Sequence, residues 1–187
     1  MKQTSAKRRV LQFRLSVKDV KPVIWRKLIV SSDVTLARLH SILQVLMGWS
    51  DSHLYAFVIN EKRYSSSIED DDVRQNKLTH TKLSSVFAKN AKLIVYEYDF
   101  GDGWEIELSN EAKSDDLQRN EWVECLDGSR HGPVEDSGGY RGYMEKAAIY
   151  GNPQHRRYHE VQELLGPKFD PEAFDLMQTN EILKRIS

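Results

Sequence analysis

The sequence predicts an α+β fold: an antiparallel sheet built from hairpins, with one helix between the early strands and a helical C-terminal third. Strand-like segments fill most of the first two thirds of the chain, and turn residues separate them in pairs. The last third instead spaces its apolar residues as helices do. Strands followed by helices favour an antiparallel sheet over a doubly wound parallel one, in which the two would alternate.

The first hairpin is predicted from two apolar segments that flank a short polar one. Residues 10–17 place apolar side chains at every second position, as a strand with one buried face does. Residues 18–22 form the predicted loop, and residues 23–30 return as the second strand. The alternation assigns one face of that second strand to Ile24, Arg26, Leu28 and Val30.

Helical spacing of apolar residues predicts a helix over residues 36–47. Asp33 or Thr35 is suited to cap its N terminus, because a short polar side chain can accept a hydrogen bond from the first-turn backbone. Gly48 is suited to end it, since glycine readily adopts the left-handed conformation found after many helix C termini.

Three further apolar segments extend the predicted sheet. Residues 53–59 are almost wholly apolar and precede a short partner at 62–64. Residues 92–98 and 104–108 predict a second hairpin, because Asp99 to Gly103 between them is typical of a tight turn.

The rest of the chain is divided between loops, a last strand and helices. Residues 65–80 are predicted as a solvated loop, because they carry the acidic run 69–72 and few apolar side chains. A helical turn is predicted at 82–87 and a strand at 122–126. Helices are predicted over 140–150, 155–165 and 171–186, with Asp170 capping the last.

Length, charge and cysteine content limit the class of protein. The 187 residues fit one domain, residues 10–187, behind a flexible basic tail, residues 1–9. The formal net charge of −1 disfavours a strongly basic nucleic-acid binder. Cys125 is the single cysteine, which excludes an internal disulfide and a zinc site with several thiolates. No signal peptide or membrane span is evident, so a cytoplasmic protein is expected.

Three separated motifs carry a resemblance to a known family. The first joins residues 21–26 (KPVIWR) and 39–40 (LH) to residues 47–54 (MGWSDSHL). The second is residues 96–104 (YEYDFGDGW), and the third is residues 132–140 (GPVEDSGGY). Their order and spacing resemble the plasmid Ri open-reading-frame-three-like family, some of whose members are labelled TnpR-type passenger proteins of transposable elements.

The resemblance implies a link to mobile genetic elements, in a family with no established reaction. No motif marks a recombinase nucleophile, and no arginine cluster suited to a scissile phosphate accompanies the three motifs. Two positions depart from the family pattern. Many members carry a histidine where this chain has Ile106, and a second proline where it has Val134.

Four acidic residues in the second and third motifs are candidate metal ligands: Asp99, Asp102, Glu135 and Asp136. If the two loops meet at one end of the sheet, these carboxylates can hold Mg²⁺ or Mn²⁺, which favour oxygen ligands. His53 is the candidate catalytic base beside them. The alternative is that Asp99 and Asp102 shape the turn, while Asp136 or Ser137 caps the following helix.

Aromatic and basic residues near the same motifs define a candidate binding cleft. Aromatic rings can stack on a base or bind a peptide, and an arginine can bind a phosphate or a carboxylate. Packing in the core is the alternative interpretation for rings on strands. The cleft candidates are Trp25, Arg26, His40, Trp49, His53, Tyr98 and Trp104.

Two hypotheses of function follow, from different classes. The favoured one is a non-enzymatic binding or adaptor module linked to mobile genetic elements, because no complete catalytic set is visible. The alternative is a divalent-metal-dependent hydrolase of the phosphodiesterase or nuclease kind, with Mg²⁺ or Mn²⁺ as cofactor. Nucleic acid or a mobile-element protein is the candidate partner, and no membrane partner is expected.

Overall fold

The computed structural model describes residues 8–66, 77–87, 91, 93–111, 118–119 and 122–186. Residues 1–7 of the predicted basic tail and the acidic run 69–72 lie outside the described residues. The last two residues of that predicted tail, Arg8 and Arg9, belong to the first strand.

The order of strands and helices confirms the predicted α+β class. The strands are β1 (Arg8–Val17), β2 (Trp25–Ser31), β3 (Tyr55–Ile59), β4 (Lys62–Ser65), β5 (Leu93–Tyr98), β6 (Trp104–Asn110), β7 (Gln118–Arg119) and β8 (Val123–Ser129). The helices are α1 (Leu36–Met47), α2 (Leu83–Phe87), α3 (Gly139–Tyr150), α4 (Tyr158–Leu165) and α5 (Leu176–Arg185). A further helical turn covers residues 77–80.

The strands form one antiparallel sheet in the order β4-β3-β5-β6-β1-β2-β8, and β7 pairs with the start of β1. Both predicted hairpins, β1 with β2 and β5 with β6, are present. The first strand lies in the middle of the sheet because its other edge pairs with β6. The pairing of β3 with β5 places the turn between β5 and β6 at the same end of the sheet as the start of β3.

One face of the sheet joins α1 in the main hydrophobic core. The predicted alternation in the second strand is confirmed, because all four residues assigned to one face, from Ile24 to Val30, are buried. Leu28 pairs with Phe13 of β1, and both are fully buried with Leu39 and Leu43 of α1. In the described part of the chain, no helix has the length and hydrophobicity that crossing a membrane requires.

Helix α1 has the ends that the sequence predicts. Thr35 is its N-cap, and the Thr35 hydroxyl accepts a hydrogen bond from the backbone N–H of Arg38. The other capping candidate, Asp33, instead pairs with Lys82. At the C terminus Gly48 adopts φ +74°, and its N–H donates to the last carbonyls of the helix.

The predicted start of the last helix is wrong. The last helix begins at Leu176 rather than Pro171, with Asp175 as N-cap, because the Pro171 carbonyl accepts from the His131 N–H instead of from a helical neighbour. Asp170 caps only a local turn, by accepting from the N–H of Glu172.

The N-cap of α3 also differs from the prediction. It is Gly138, with φ +83° and no side-chain cap, so neither Asp136 nor Ser137 fills that role. The N–H of Gly138 is already used by the carboxylate of Asp102, which lies in another loop.

Candidate metal centre and its supporting loops

Three loops meet at one end of the sheet. They are residues 48–54, 99–103 and 132–138. The N–H of Asp99 donates to the carbonyl of Leu54 at 2.9 Å, which joins the second loop to the first. The N–H of Gly138 donates to a carboxylate oxygen of Asp102 at 3.0 Å, which joins the third to the second. The Trp49 indole donates to a backbone carbonyl of the third loop at 2.7 Å. The three motifs found in the sequence therefore assemble one site.

Asp99 shapes the turn between β5 and β6 and also faces the site. Its Oδ1 accepts from the N–H groups of Gly101 and Asp102, at 3.0 and 3.3 Å. This is the turn chemistry that the sequence suggested. Its second oxygen, Oδ2, lies 3.7 Å from Nδ1 of His53. One carboxylate thus serves both the turn and the site.

His53 lies between two carboxylates from different loops. Its Nδ1 faces Asp99, and its Nε2 lies 3.4 Å from Oδ1 of Asp136. One potential ligand atom from each of the three residues lies within 4.8 Å of the others. Nε2 is buried, and within the described residues it has no hydrogen-bond partner. The Asp136 side chain is 73% exposed, so the cluster is open to solvent on that side.

The backbone of these loops is strained at acidic residues. Asp51, Asp99 and Asp136 have φ values of 60°, 53° and 57°. Aspartate tolerates this left-handed region better than most residues, but it still costs energy outside glycine. Such strained positions concentrate at functional sites. Here, two of the three hold the carboxylates that face His53.

The four predicted metal-ligand candidates divide into two pairs. Asp99 and Asp136 lie together at His53. Asp102 instead binds the Gly138 N–H. Glu135 accepts from the Tyr98 hydroxyl at 2.5 Å and from several groups of the first loop. The second pair holds the loops together, and the first pair faces His53.

Glu135 is the anchor of the third loop. Burial acts to raise its pKa, but hydrogen bonds from Tyr98, Ser50 and Ser52 outweigh that effect, and the net pKa is lowered. Burial and the bond to Glu135 raise the pKa of Tyr98 to about 12. At neutral pH an ionised carboxylate therefore accepts from a neutral phenol, which makes this a strong, charge-assisted contact.

Aromatic rings form the floor beneath the cluster. Trp49 stacks on Tyr98 with ring centroids 4.6 Å apart, and Trp104 lies 6.2 Å from Trp49. His53 contacts Tyr98 edge to face at 5.7 Å. Trp49, Tyr98 and Trp104 are all buried, so these three cleft candidates support the site from below. Their contact with a ligand stays a prediction.

His40 belongs to a second, buried network beside this floor. Its Nδ1 lies 2.7 Å from the Tyr96 hydroxyl, and its Nε2 lies 2.7 Å from Asp51. Because the Asp51 carboxylate can only accept, the neutral ring carries its proton on Nε2, and Nδ1 accepts from the Tyr96 hydroxyl. The ring stacks on Tyr55 at 3.6 Å. His40 therefore orients the 48–54 loop through Asp51.

Stability is expected to fall below about pH 6.5, the ordinary pKa of histidine, because of His40. Burial lowers the pKa of folded His40 against the opposing effect of Asp51, so the unfolded chain takes up a proton at a higher pH. The stability that neutral His40 confers is complete above the unfolded pKa and declines as pH falls towards the folded pKa.

Thermal unfolding of wild type and variants at about pH 5 to 7.5 measures this effect. The His40→Gln variant should show a flatter pH profile than wild type. His159→Gln, at an exposed position on α4, should keep the wild-type profile. Equal slopes for wild type and His40→Gln would contradict the assignment.

The remaining cleft candidates, Trp25 and Arg26, are not members of the cluster of His53, Asp99 and Asp136. They are neighbours on β2 and so face opposite sides of the sheet. Trp25 stacks under the guanidinium of Arg14 at 4.2 Å. Arg26 is buried, with 2% exposure, and contacts the end of α1 through the Leu46 carbonyl. Because Trp25 and Arg26 face opposite sides of the sheet, these two candidates do not line the same cleft.

Sequence reasoning missed several residues of the site. Ser50 and Ser52 bind Glu135, and Gln44 accepts from the N–H of Asp51 through its side-chain oxygen. The sequence signal that could have revealed the two serines is the polar run 50–52, which follows Trp49. Ile106 is fully buried opposite Tyr96, so this position belongs to the core.

The family model of plasmid pRiA4b ORF-3-like proteins matches residues 9–178 of this chain. The chain belongs to this family. It is 33% identical over 184 residues to the uncharacterized protein y4hQ of Sinorhizobium fredii (strain NBRC 101917 / NGR234), covering 95% of this chain and 92% of that protein.

A solved structure has the same fold. It is the crystal structure of a protein of unknown function, MM3350, from Methanosarcina mazei Go1. The TM-score is 0.76 at 30% sequence identity, and the match covers 90% of this chain and 96% of that one. All of these relatives are uncharacterised, so the function of this family member has to be argued from its own site.

Proposed function

We propose that this member of the plasmid pRiA4b ORF-3-like family is a divalent-metal-dependent hydrolase whose ion is held by His53, Asp99 and Asp136. The observation that carries this proposal is the spacing of the donor atoms. Three potential ligands, one from each loop, lie within 4.8 Å of one another. Hydrogen bonds between the three loops hold these residues in place.

The distances in the cluster suit an ion better than direct hydrogen bonds. A nitrogen–oxygen hydrogen bond is normally about 2.7–3.2 Å long. Nε2 of His53 lies 3.4 Å from Oδ1 of Asp136, and Nδ1 lies 3.7 Å from Oδ2 of Asp99; a single ion would bind only one of these two nitrogens. Ligands bound at about 2.1 Å in a tetrahedron lie about 3.4 Å apart. Nε2 of His53 is buried and has no hydrogen-bond partner among the described residues, as expected of a nitrogen that binds an ion.

The ligand types favour Mn²⁺ or Zn²⁺. One imidazole with two carboxylates combines a nitrogen donor preferred by zinc with oxygen donors preferred by manganese and magnesium. Two carboxylates neutralise the charge of a divalent ion. Three protein ligands also leave coordination positions for water and substrate, as in catalytic sites, and a bound water becomes a nucleophile near neutral pH.

Calorimetric titration with Mn²⁺ and with Zn²⁺ tests the metal site. Asp99→Asn combined with Asp136→Asn should weaken binding by about 100-fold or more, beyond the 10–100-fold typical of outer-shell changes. The matched control, Glu163→Gln, removes an exposed carboxylate on α4 and should bind as wild type does. Equal affinity in wild type and the double variant would refute the site.

Hydrolysis is tested on the metal-loaded protein. Bis(p-nitrophenyl) phosphate reports phosphodiester cleavage, and p-nitrophenyl acetate reports ester cleavage. Activity that requires the ion and disappears in the double variant supports the hydrolase. Saturable metal binding without activity on either compound would leave a metal-binding protein and reject the hydrolase.

A second candidate function is a non-enzymatic binding or adaptor module linked to mobile genetic elements. What supports it is the use of Asp102 and Glu135 as loop anchors, which is how a rigid recognition surface is built. The family name also refers to a plasmid reading frame. Failure of wild type to bind Mn²⁺ or Zn²⁺ would favour this candidate.

A further inference from the structure

Arg26 is a buried cation whose bonding partners are all neutral. Its Nε donates to the Leu46 carbonyl at 3.1 Å, and its Nη1 donates to the carbonyls of Trp25 and Ser129 at 2.8 and 2.9 Å. Among the described residues, no carboxylate forms an ion pair with it. Burying a charge is costly, and buried charges are normally paired. Arg26 is an exception that needs a reason.

Stabilisation of the fold explains only some of the hydrogen bonds that the Arg26 guanidinium can donate. The Leu46 carbonyl belongs to the last turn of α1, where a cation offsets the negative end of the helix. That role uses Nε, while Nη1 bonds to carbonyls of β2 and β8. Within the described residues, no hydrogen bond of Nη2 is found, so its two donor hydrogens are available to water or to a ligand.

A cavity of about 210 Å³ lies beside this guanidinium. It is bounded by the C-terminal turn of α1, by residues 131–132 and by the start of α5. Val45, Phe174 and Ile182 give it apolar walls, while Arg26 and Gln178 give it polar groups. At about 30 Å³ per water molecule, the cavity has room for roughly seven waters or a small organic molecule.

Two glycines are needed to form this cavity. A Cβ at Gly128 would lie 2.7 Å from Cδ of Arg26 and 2.5 Å from the ring of Phe174. The absence of that Cβ lets Phe174 stack on the guanidinium at 4.0 Å. A Cβ at Gly132 would lie 2.0 Å from the carbonyl oxygen of Met47. Gly128 therefore allows Phe174 to pack on Arg26, and Gly132 allows the cavity wall to lie close to α1.

We propose that this cavity binds a small monocarboxylic acid, with its carboxylate at Nη2 of Arg26 and its apolar part between Phe174 and Ile182. A carboxylate needs few donors, and one free guanidinium nitrogen with the Gln178 amide supplies them. A phosphate dianion would need more donors than these. Asp175 also lines the cavity, but it is the N-cap of α5 and accepts from the Gln178 N–H.

Binding of benzoate and butyrate tests the proposal, with EDTA present so that the metal site plays no part. Ligand-observed NMR should show saturable binding, with dissociation constants of about 0.1–10 mM. Benzamide has the same shape without the charge and should bind at least about tenfold more weakly, a difference of about 1.4 kcal/mol. Inorganic phosphate should not compete.

A cavity-filling variant keeps the test independent of the bonds that Arg26 makes to the fold. Ala173 lies exposed at the cavity, so Ala173→Trp should abolish benzoate binding and leave the thermal unfolding temperature unchanged. Ala148→Trp, at an exposed position of α3, is the matched control and should bind normally. The proposal is overturned by absence of benzoate and butyrate binding, by equal binding of benzamide, by phosphate competition, or by unchanged binding in Ala173→Trp.

Discussion

Replacing Gly139 with alanine is expected to destabilise the fold by about 2–4 kcal/mol and to abolish metal binding. Gly139 has φ +65°, and a Cβ there would lie 2.3 Å from the carbonyl oxygen of Asp102. The side chain would therefore add backbone strain and push the 99–103 turn away from the 132–138 loop. These are the loops that carry Asp99 and Asp136, so the donor atoms would separate.

Thermal unfolding and Mn²⁺ titration measure both effects. A loss of this size lowers the melting temperature by about 5–15 °C in a domain of this length. The matched control is Gly151→Ala, because Gly151 has φ −69° and its nearest atoms would lie 3.5 Å from the new Cβ. That variant should unfold and bind metal as wild type does. A stable Gly139→Ala protein with normal affinity would show that the close loop contact is not required.

Removing the Glu135 side chain is expected to lower both the stability of the fold and the affinity for metal. Glu135→Ala leaves the Tyr98 hydroxyl and the N–H of Ser50 without their acceptor, which costs about 1–3 kcal/mol. The third loop also loses its anchor next to Asp136. Metal affinity should therefore fall by about 10–100-fold, as for other outer-shell groups that position a ligand.

Two comparisons separate positioning from direct ligation by Glu135. Glu135→Gln keeps an acceptor oxygen and should retain more stability and affinity than Glu135→Ala. Glu163→Ala, at an exposed position on α4, should match wild type in both measurements. If Glu135→Ala bound Mn²⁺ with wild-type affinity, the loop anchor would have no part in building the site.

Local signals were sufficient for most individual strands and helices. Helix α1 was predicted at both ends because Thr35 and Gly48 act within one turn of it. The β5–β6 hairpin was predicted because its turn is closed by the Asp99 side chain. The start of α5 was missed because a distant group, the N–H of His131, binds the carbonyl of Pro171.

The candidate site depends on contacts between distant parts of the chain. Sequence reasoning singled out four acids in these loops but could not divide them into those that face His53 and those that anchor the loops. That division depends on which N–H reaches Asp102 and on the left-handed backbone of Asp136, which turns it towards His53. The role of His53 as a member of the cluster, rather than a nearby base, likewise required the three loops to be placed in space.

Electron–nuclear double resonance of the Mn²⁺-loaded protein tests the metal centre most directly. With ¹⁵N-labelled histidine, a coupling to one histidine nitrogen is expected in wild type and in Glu163→Gln. The His53→Gln variant, loaded at a higher Mn²⁺ concentration, should lose that coupling. A wild-type spectrum with no nitrogen coupling, or a coupling that persists without His53, would contradict an ion held by His53, Asp99 and Asp136.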